Sequence, residues 1–290
     1  MMPEPLRLAT QNLESFEETG DSVKSLAANV MASGGEFHTP GPADFELPAI
    51  FGSGEWAPTK VMILVVLSAV IAFVLFYAMS RKAAVVPSRL QFVGEYVYGF
   101  VRNGIARDTI GSNDFMKFVP FLFTIFLFII VNNFYGIIPF VQFPTMSHIG
   151  YTTALALITW LIYNVVGIAK HGFFGYLKHQ TVPAGISGPI LLMLVPLEFF
   201  SNIIVRPFTL ALRLFATMFA GHLLLTLFSV GGAYLILHYS PAVLGVTTGV
   251  LSFLIGIAVS FLDMLVMFLQ AYVFTLLSAM YIGQAIADEH

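Results

Sequence analysis

The chain has 290 residues, of which 58% are hydrophobic and only 10% are charged, and its formal net charge is −3. Soluble domains carry about 25% charged residues, so this composition excludes a water-facing surface of ordinary polarity. The sequence contains no cysteine, which excludes disulfides and thiolate metal sites. We therefore expect an integral membrane protein without disulfides or thiolate metal sites.

Residues 1–59 are polar and acidic and then rich in glycine and proline, which predicts an extended tail ahead of a membrane domain at 60–290. An uninterrupted apolar run at 61–79 predicts the first span, since about 20 apolar residues cross a bilayer as a helix. Residues 83–116 mix charged and apolar side chains. Between Leu90 and Val97 the apolar positions recur at three and four residues, which predicts an amphipathic helix at the membrane interface.

Further apolar stretches follow the amphipathic segment, at 118–138, 152–169, 188–237 and 242–287. The last two exceed the length that one perpendicular crossing needs, so each is either strongly tilted or preceded by a short separate segment. The sequence thus predicts an all-α membrane protein with about five crossings, whose last two helices form a long, tilted hairpin. No internal repeat is visible, which argues against the inverted-repeat plan of many secondary transporters.

The distribution of lysine and arginine predicts the orientation, because these residues concentrate in cytoplasmic loops. The loop at 140–150 contains neither residue, whereas the loop at 170–186 contains Lys170 and Lys178. An outer N-terminus and a cytoplasmic C-terminus satisfy this pattern. The segment after the first span is the most basic part of the chain, with Arg81, Lys82, Arg89, Arg102, Arg107 and Lys117.

Polar and ionisable side chains interrupt the last two apolar stretches, although each ionised group there costs roughly 2.5–3.5 kcal/mol on insertion scales. Such residues mark ion or substrate paths in membrane proteins, so we treat them as the candidate site. The first stretch contains Glu198, Asn202, Arg206, Arg213 and His222, and the second contains Asp263 and Gln270.

Helical spacing predicts that these side chains form facing stripes. At about 100° per residue, Asn202, Arg206 and Arg213 fall within roughly 40° of one another. Asp263 and Gln270 are about two helical turns apart, so they also share a face. Two such stripes on consecutive antiparallel helices predict a polar, hydrated seam.

Arg213 is the residue on which we expect the function to depend. Its guanidinium stays charged at any physiological pH, so it can attract a carboxylate and block a proton. Glu198, His222 and Asp263 are able to exchange protons. A fixed cation between titratable groups suits a path along which protons must not run straight through.

Structural roles are the alternatives for the same residues. Arg206 would either extend its charge to the inner membrane interface or pair with Glu198. For Arg213 the alternative is a buried ion pair with Asp263, which would leave the rest of the stripe unexplained. The remaining polar residues would pack or hold helices together through hydrogen bonds: His222, Gln270 and Asn202.

The stretch from Arg206 to His222, RPFTLALRLFATMFAGH, closely resembles the signature of subunit a of F-type ATP synthases, the stator of a proton-driven rotary motor. The family's usual asparagine is Thr217 in this chain. The stretch LQAYVFTLL from Leu269 to Leu277 resembles the family's second signature, on its last helix. Weaker matches lie at Val86–Gln91 and Pro144–Ile149. The resemblance covers the chain from about residue 36 to its end.

This resemblance implies a mechanism in which subunit a packs against a ring of c subunits and offers two offset aqueous half-channels. Arg213 matches the family's essential arginine, which attracts each ionised ring carboxylate and blocks protons from passing between the half-channels. Gln270 matches the glutamine that faces this arginine. His222 and Asp263 occupy positions where some relatives carry a glutamate and a histidine respectively, an exchange that preserves proton handling on the outer side. Glu198 fits the inner half-channel.

The resemblance also implies an essential subunit of an enzyme complex that has no catalytic site of its own and holds no metal and no cofactor. Its partners would be the c-ring, the peripheral-stalk b subunits, the rest of the ATP synthase, the lipid bilayer and protons, without nucleic acid. No nucleotide-binding G-x-x-x-x-G-K-[ST] loop occurs. The long, charged N-terminal tail favours a bacterial plasma membrane over a mitochondrial inner membrane. The alternatives are a secondary transporter that binds an anionic substrate through Arg213 and a purely structural membrane subunit.

Overall fold

The structure, a computed structural model, describes residues 40–41, 59–80, 89–112, 114–138, 141, 143–181, 190–238 and 242–287. These residues form helices and turns and contain no strand, so the all-α prediction is confirmed for them. The predicted N-terminal tail lies outside the described residues except at 40–41 and 59. Residues 81–88 also lie outside them, as do residues 182–189, which include the end of the loop predicted at 170–186 and the start of the span predicted at 188–237. Most of the predicted turn at 238–241 and the tail at 288–290 also lie outside them.

The longer described helices are α1 (Lys60–Ser80), α2 (Arg89–Gly99), α3 (Val119–Phe134), α4 (Ile149–His171), α5 (Phe173–Thr181), α6 (Ile190–Phe200), α7 (Arg206–His238) and α8 (Ala242–Ile286). Three-residue helical turns lie at Asp108–Ile110, Phe115–Lys117 and Thr145–Ser147. Two π-helical segments accompany them. Phe100–Arg107 continues α2, and Ser201–Val205 joins α6 to α7. The described residues divide into two compact units: 40–41 with 225–238 and 242–257, and the described part of 59–224 with 258–287.

Helices long and apolar enough to cross a membrane are found at Lys60–Met79, Ile149–His171, Met193–His238 and Val243–Ile286. Their outward faces stay apolar: Phe73 on α1 is 69% exposed and Phe261 on α8 is 67% exposed. Exposed aromatic rings in such numbers suit a lipid surface better than water.

The predicted span at 118–138 is shorter in the structure. Helix α3 has 16 residues, which at 1.5 Å per residue makes it about 24 Å long, less than the roughly 30 Å of a bilayer's hydrocarbon core. The helix ends because the chain turns after it, where the Gly136 N–H donates to the Asn133 carbonyl over 3.1 Å. Its crossing of the membrane stays a prediction.

The two longest apolar stretches are each continuous helical runs. Residues 190–238 comprise α6, the π turn Ser201–Val205 and α7 without a break, and α8 is a single helix of 45 residues. A helix of this length extends about 68 Å, more than twice the hydrocarbon thickness. Within the described residues 190–238 and 242–287, neither stretch is interrupted by a non-helical break that would set off a separate short segment.

Buried amides and hydroxyls tie the helices of the larger unit together. The Asn132 side chain of α3 donates to the Ser68 hydroxyl of α1 over 2.7 Å and accepts from the Thr145 hydroxyl over 2.5 Å. Asn133 donates to the Met267 carbonyl of α8 over 3.1 Å. Because lipid offers no competing hydrogen bonds, such side chains are effective helix-to-helix contacts in membranes.

The predicted amphipathic segment is helical, as α2 and the π segment that follows it. Val101 and Ile105 are fully buried, and the Phe100 ring lies 5.6 Å from the Tyr272 ring of α8. Phe92, on the first part of the segment, is 61% exposed. The segment therefore has one buried and one exposed face, and its location at the membrane interface stays a prediction.

In the smaller unit, the C-terminal part of α7 packs against the first part of α8. A Cβ added at Gly249 would lie 2.7 Å from the Gly232 carbonyl oxygen, so glycine is what permits this close approach. The Ser252 hydroxyl donates to the Phe228 carbonyl over 2.9 Å. Small residues at the contact are the usual way for membrane helices to pack closely.

Candidate functional site

Two contacts within the larger unit define how α7 and α8 align. At one level, the Asp263 carboxyl lies so close to Gly221 that a Cβ there would collide with it. At another, the guanidinium carbon of Arg206 lies 5.1 Å from the centre of the Tyr281 ring. As the residue number decreases along α7 it increases along α8, so the two helices are antiparallel.

This alignment brings Gln270 to the level of Arg213. Starting from the contact of Gly221 with Asp263, seven residues along each helix lead to Leu214 on α7 and to Gln270 on α8. Gln270 is only 5% exposed, and its side-chain nitrogen has no hydrogen-bond partner among the described residues. A buried polar atom without a partner costs about 1–3 kcal/mol. A water molecule or a partner's polar group is therefore expected here.

Arg213 is half-buried in an unbroken part of α7. Within the described part of the chain no ion pair joins it to Asp263, whose carboxyl lies against Gly221 instead, eight residues further along the helix and so about 12 Å away along the axis. The Thr217 hydroxyl donates to the Arg213 backbone carbonyl over 2.9 Å. The guanidinium is thus left available for a group from outside the described residues.

Small side chains accompany Arg213 on the exposed face of α7. Thr209, Ala216 and Ala220 are all exposed, and at about 100° per residue they lie within roughly 60° of Arg213 around the helix axis. Small residues allow the backbone of a neighbouring helix to approach closely. This face of α7 can therefore accept a helical partner directly beside the arginine.

On one side of Arg213 lies the His222 cluster, which we define as His222, Asp263, Phe143 and His148. The His222 ring is 5.8 Å from the Phe143 ring, and Phe143 is 5.7 Å from His148. Asp263 is 5% exposed and lies against Gly221, the residue that precedes His222. The segment that contains Phe143 and His148 thus brings a second imidazole towards the two predicted proton-exchanging residues.

On the other side lies the Arg206 cluster, which we define as Arg206, Tyr281, Tyr163, Tyr176 and Asn202. The Asn202 side chain donates to the Gln180 carbonyl over 2.7 Å, and the Tyr163 hydroxyl donates to the Asn202 carbonyl over 3.0 Å. The predicted stripe of Asn202, Arg206 and Arg213 therefore contacts different helices: Asn202 is held by α4 and α5, and the Arg206 side chain packs on Tyr281 of α8.

Tyr176 links α5 to α4 within this cluster. Its hydroxyl donates to the Asn164 side chain over 3.1 Å and accepts from the Gln180 side chain over 2.5 Å. Burial raises the pKa of Tyr176 to about 12, against 10.0 for an ordinary tyrosine. The hydroxyl thus keeps its proton at physiological pH and can serve as donor and acceptor at once.

Glu198 is half-buried on α6. Among the described residues it forms no ion pair with Arg206, whose guanidinium lies on the Tyr281 ring instead. Local pairing between the two is therefore not seen. No group of three or more histidine, aspartate or glutamate side chains within the described ranges is arranged to hold a metal.

Sequence reasoning missed Tyr281 and Tyr163. Tyr281 follows Gln270 by eleven residues, which places the two within about 20° on one helix face. This spacing could therefore have identified Tyr281 as a residue of the site. Tyr163 carried none. Its hydroxyl bonds a backbone carbonyl 39 residues away, and such a contact leaves no mark in the pattern of side chains.

Comparison with known proteins gives one consistent family. The family model described as ATP synthase A chain matches residues 61–283, a range that contains all the candidate site residues. A relative from Nocardioides sp. named ATP synthase subunit a is 57% identical over 282 residues, covering 92% of this chain and all of the relative. Proteins of the same name from Pseudarthrobacter chlorophenolicus and Rhodococcus erythropolis are 49% and 39% identical, over 88% and 93% of this chain and 96% of each relative.

Proposed function

Because the chain belongs to the ATP synthase A chain family, we propose that it is the proton-translocating stator subunit of an F-type ATP synthase. As a family member with several membrane-spanning helices, it is a multi-pass membrane protein and a subunit of an enzyme complex. In the proposed function it offers two offset half-channels to a ring of carboxylate-bearing c subunits and couples proton flow to rotation and ATP synthesis.

The observation that carries this proposal is the position of Arg213. The arginine lies on α7 between the His222 cluster and the Arg206 cluster, and no acidic side chain of the described chain neutralises it. A guanidinium that is always charged and has no internal counter-ion attracts a carboxylate from a neighbouring subunit. The exposed face of small residues around it lets a c-subunit helix come close enough for that contact.

Arg213 would also separate the two half-channels. A proton approaching from either cluster meets a permanent positive charge, and in low-dielectric surroundings that charge is weakly screened. Moving one proton across 100 mV is worth about 2.3 kcal/mol, and a leak past the arginine would dissipate this energy as heat. Gln270, at the same level, would supply the polar amide that a hydrated seam beside the arginine needs.

Each cluster would belong to one half-channel. Asp263 and His222 exchange protons in the outer half-channel, and the Phe143 ring lies between His222 and a second histidine, His148. Glu198 serves the inner half-channel, with Asn202 and Arg206 beside it. The inner assignment agrees with the distribution of lysine and arginine, which favours an outer N-terminus and a cytoplasmic C-terminus.

The proposed surroundings follow from the same family membership. The chain would lie in a bacterial plasma membrane, against the c-ring on one side and the b subunits of the peripheral stalk on another. The relatives described above are bacterial proteins, which supports this location over the mitochondrial inner membrane.

The experiment is ATP-driven proton pumping by the assembled complex in inverted membrane vesicles. Arg213→Ala and Arg213→Lys are compared with Arg107→Ala, which removes an exposed arginine far from the cluster residues in sequence. We expect both Arg213 variants to lose coupled pumping by on the order of 100-fold or more, since misplacing or removing one charge-orienting group costs this much. Arg107→Ala should pump normally.

Passive proton permeability distinguishes the remaining alternatives. With ATP absent and a pH gradient imposed, Arg213→Ala should conduct protons faster than the unaltered complex, because the barrier between the half-channels is gone. Normal coupled pumping in both Arg213 variants would exclude the proposal in favour of a purely structural subunit. Uptake of a small organic anion that requires Arg213 but not the c-ring would favour the secondary transporter.

A further inference from the structure

The π turn at Ser201–Val205 leaves a backbone carbonyl without its usual partner. In this turn the Arg206 N–H donates to the Ser201 carbonyl, five residues earlier. The same register would pair the Asn202 carbonyl with the N–H of residue 207. Residue 207 is proline, which has no N–H. An unpaired carbonyl is costly at membrane depth, where water does not replace the missing donor.

Tyr163 supplies the missing donor. Its hydroxyl, on α4, donates to the Asn202 carbonyl over 3.0 Å, and the side chain is 1% exposed. Asn202 makes a second contact with a neighbouring helix: its side chain donates to the Gln180 carbonyl of α5 over 2.7 Å. One π-turn residue is thus held by two neighbouring helices.

The π turn changes which residues of α6 and α7 share a face. Glu198 precedes Arg206 by eight residues, so in an uninterrupted α-helix they would lie about 80° apart around the axis. One extra residue accommodated in a turn rotates the flanking segments by about 100° relative to each other. The separation becomes about 20°, which aligns Glu198 with Arg206 and, two turns further on, with Arg213.

We propose that Tyr163 is a positioning residue for proton transfer: its hydroxyl stabilises the π turn opposite Pro207 and thereby keeps Glu198 on the arginine-bearing face of the α6–α7 run. This inference rests on the proposed function, because it assigns Tyr163 a role in the inner half-channel. Tyr163 itself exchanges no proton in this scheme. It acts through the rotation of α6 relative to α7.

The test first removes the Tyr163 hydroxyl. It then restores a hydrogen-bond donor for the Asn202 carbonyl by replacing Pro207 with a residue that has an N–H. Tyr163→Phe keeps the ring, which lies 5.8 Å from the Tyr281 ring, and loses only the hydroxyl. We expect it to lower ATP-driven proton pumping per assembled complex by roughly two- to tenfold, the worth of one hydrogen bond. Pro207→Ala restores an N–H at residue 207. The double variant should therefore pump at the rate of Pro207→Ala alone.

A second comparison separates positioning from general stabilisation. In a Glu198→Gln background there is no carboxylate left to align, so Tyr163→Phe should cause no further loss of pumping. A merely structural hydroxyl would cause the same fold-loss in both backgrounds, because independent effects add. Tyr151→Phe, on the same helix α4, is the matched control and should leave pumping unchanged.

Each outcome decides the proposal. It is overturned if Tyr163→Phe pumps like Tyr151→Phe, if Pro207→Ala does not rescue it, or if its effect is equal in the Glu198→Gln background. If the Tyr163→Phe complex fails to assemble, the double variant of Tyr163→Phe with Pro207→Ala decides. Assembly and pumping of this double variant support the proposal, and its failure to assemble overturns the proposal.

The proposed function is judged separately, by Arg213→Ala. Normal pumping in Arg213→Ala would exclude the proposed half-channels and therefore also this inference, which depends on them. Abolished pumping in Arg213→Ala together with unaltered pumping in Tyr163→Phe would leave the proposed function intact and exclude the positioning role alone.

Discussion

The His222 cluster and the Arg206 cluster use the same two helices, α7 and α8, yet they are built by different interactions. The His222 cluster depends on a glycine that lets a carboxyl approach the backbone and on ring contacts to a loop. The Arg206 cluster depends on directional hydrogen bonds to carbonyls and on a cation–π contact. The close approach of Asp263 to Gly221 and the ring contacts thus characterise the first cluster, and hydrogen bonds to backbone carbonyls characterise the second.

The difference suits two kinds of work. A carboxylate that receives and releases protons has to keep its lone pairs accessible, and close packing against Gly221 is one way to position Asp263. A residue that positions a helix has to keep one partner throughout. In the proposed function this division corresponds to proton exchange near His222 and to helix alignment near Arg206.

The largest effect in this comparison is expected from Gly221→Ala. The added Cβ would collide with the Asp263 carboxyl, which has to move although it is buried. Misplacing a reacting group by about 1 Å can cost on the order of 100-fold, so we expect ATP-driven proton pumping to fall by about ten- to 100-fold. Pumping in inverted vesicles, per assembled complex, is the measurement.

Gly150→Ala is the control for this substitution. A Cβ at Gly150, in the first turn of α4, would meet nothing within 4 Å, so this variant should assemble and pump normally. Equal pumping by the Gly221 and Gly150 variants would contradict the view that the glycine positions Asp263.

A smaller effect is expected at Tyr281. Tyr281→Phe keeps an aromatic face beneath Arg206, whereas Tyr281→Leu removes it. A partly exposed cation–π contact is worth about 0.5–1 kcal/mol, so we expect Tyr281→Leu to pump roughly two- to fivefold more slowly than Tyr281→Phe. The same pumping assay checks this, and equal rates in the two variants would show that the ring position contributes only packing.

The smallest effect is expected at Tyr176 and is seen as a pH dependence of stability. Its pKa is raised from 10.0 to about 12 in the folded protein, so the unfolded chain loses this proton first as the pH increases. The hydroxyl's contribution is complete below pH 10.0 and is lost as the pH rises towards about 12.

Tyr176→Phe should therefore remove part of the alkaline loss of stability. The apparent unfolding temperature of the variant in detergent should fall less steeply than that of the unaltered chain between pH 10.0 and about 12. Below that range the two should differ only by the lost hydrogen bonds, about 1 kcal/mol each. Parallel pH profiles would mean that the tyrosine hydroxyl is not the titrating group.

Much of the helical plan could be read from the sequence, because uninterrupted apolar runs have few alternatives in a membrane. The span predicted at 61–79 corresponds to the helix Lys60–Ser80, and the one predicted at 242–287 to Ala242–Ile286. The shorter α3 was not predicted, because its end depends on a turn around Gly136 rather than on a change in polarity.

The interior of the site was less predictable. Arg213, Gln270 and Asp263 could be identified because charge and amides in apolar helices are costly and therefore conspicuous. The π turn at Ser201–Val205 could not, since its residues are compatible with an ordinary helix and only Pro207 hints at an interruption. The hydrogen bond from Tyr163 to Asn202 joins a side chain to a backbone carbonyl. Helical periodicity, which placed the other residues, concerns side chains only and cannot predict which backbone carbonyl a side chain will bond.

The order of the chain has a consequence for biogenesis. Tyr163 and Gln180, the two partners of the π turn, are synthesised before the turn itself, whereas Tyr281 is synthesised after Arg206. By the time the π turn is synthesised, the hydroxyl that bonds the Asn202 carbonyl is therefore already present in α4. The Arg206 charge must wait for α8. The cation–π contact of Arg206 with Tyr281 can therefore form only after α8 has been synthesised.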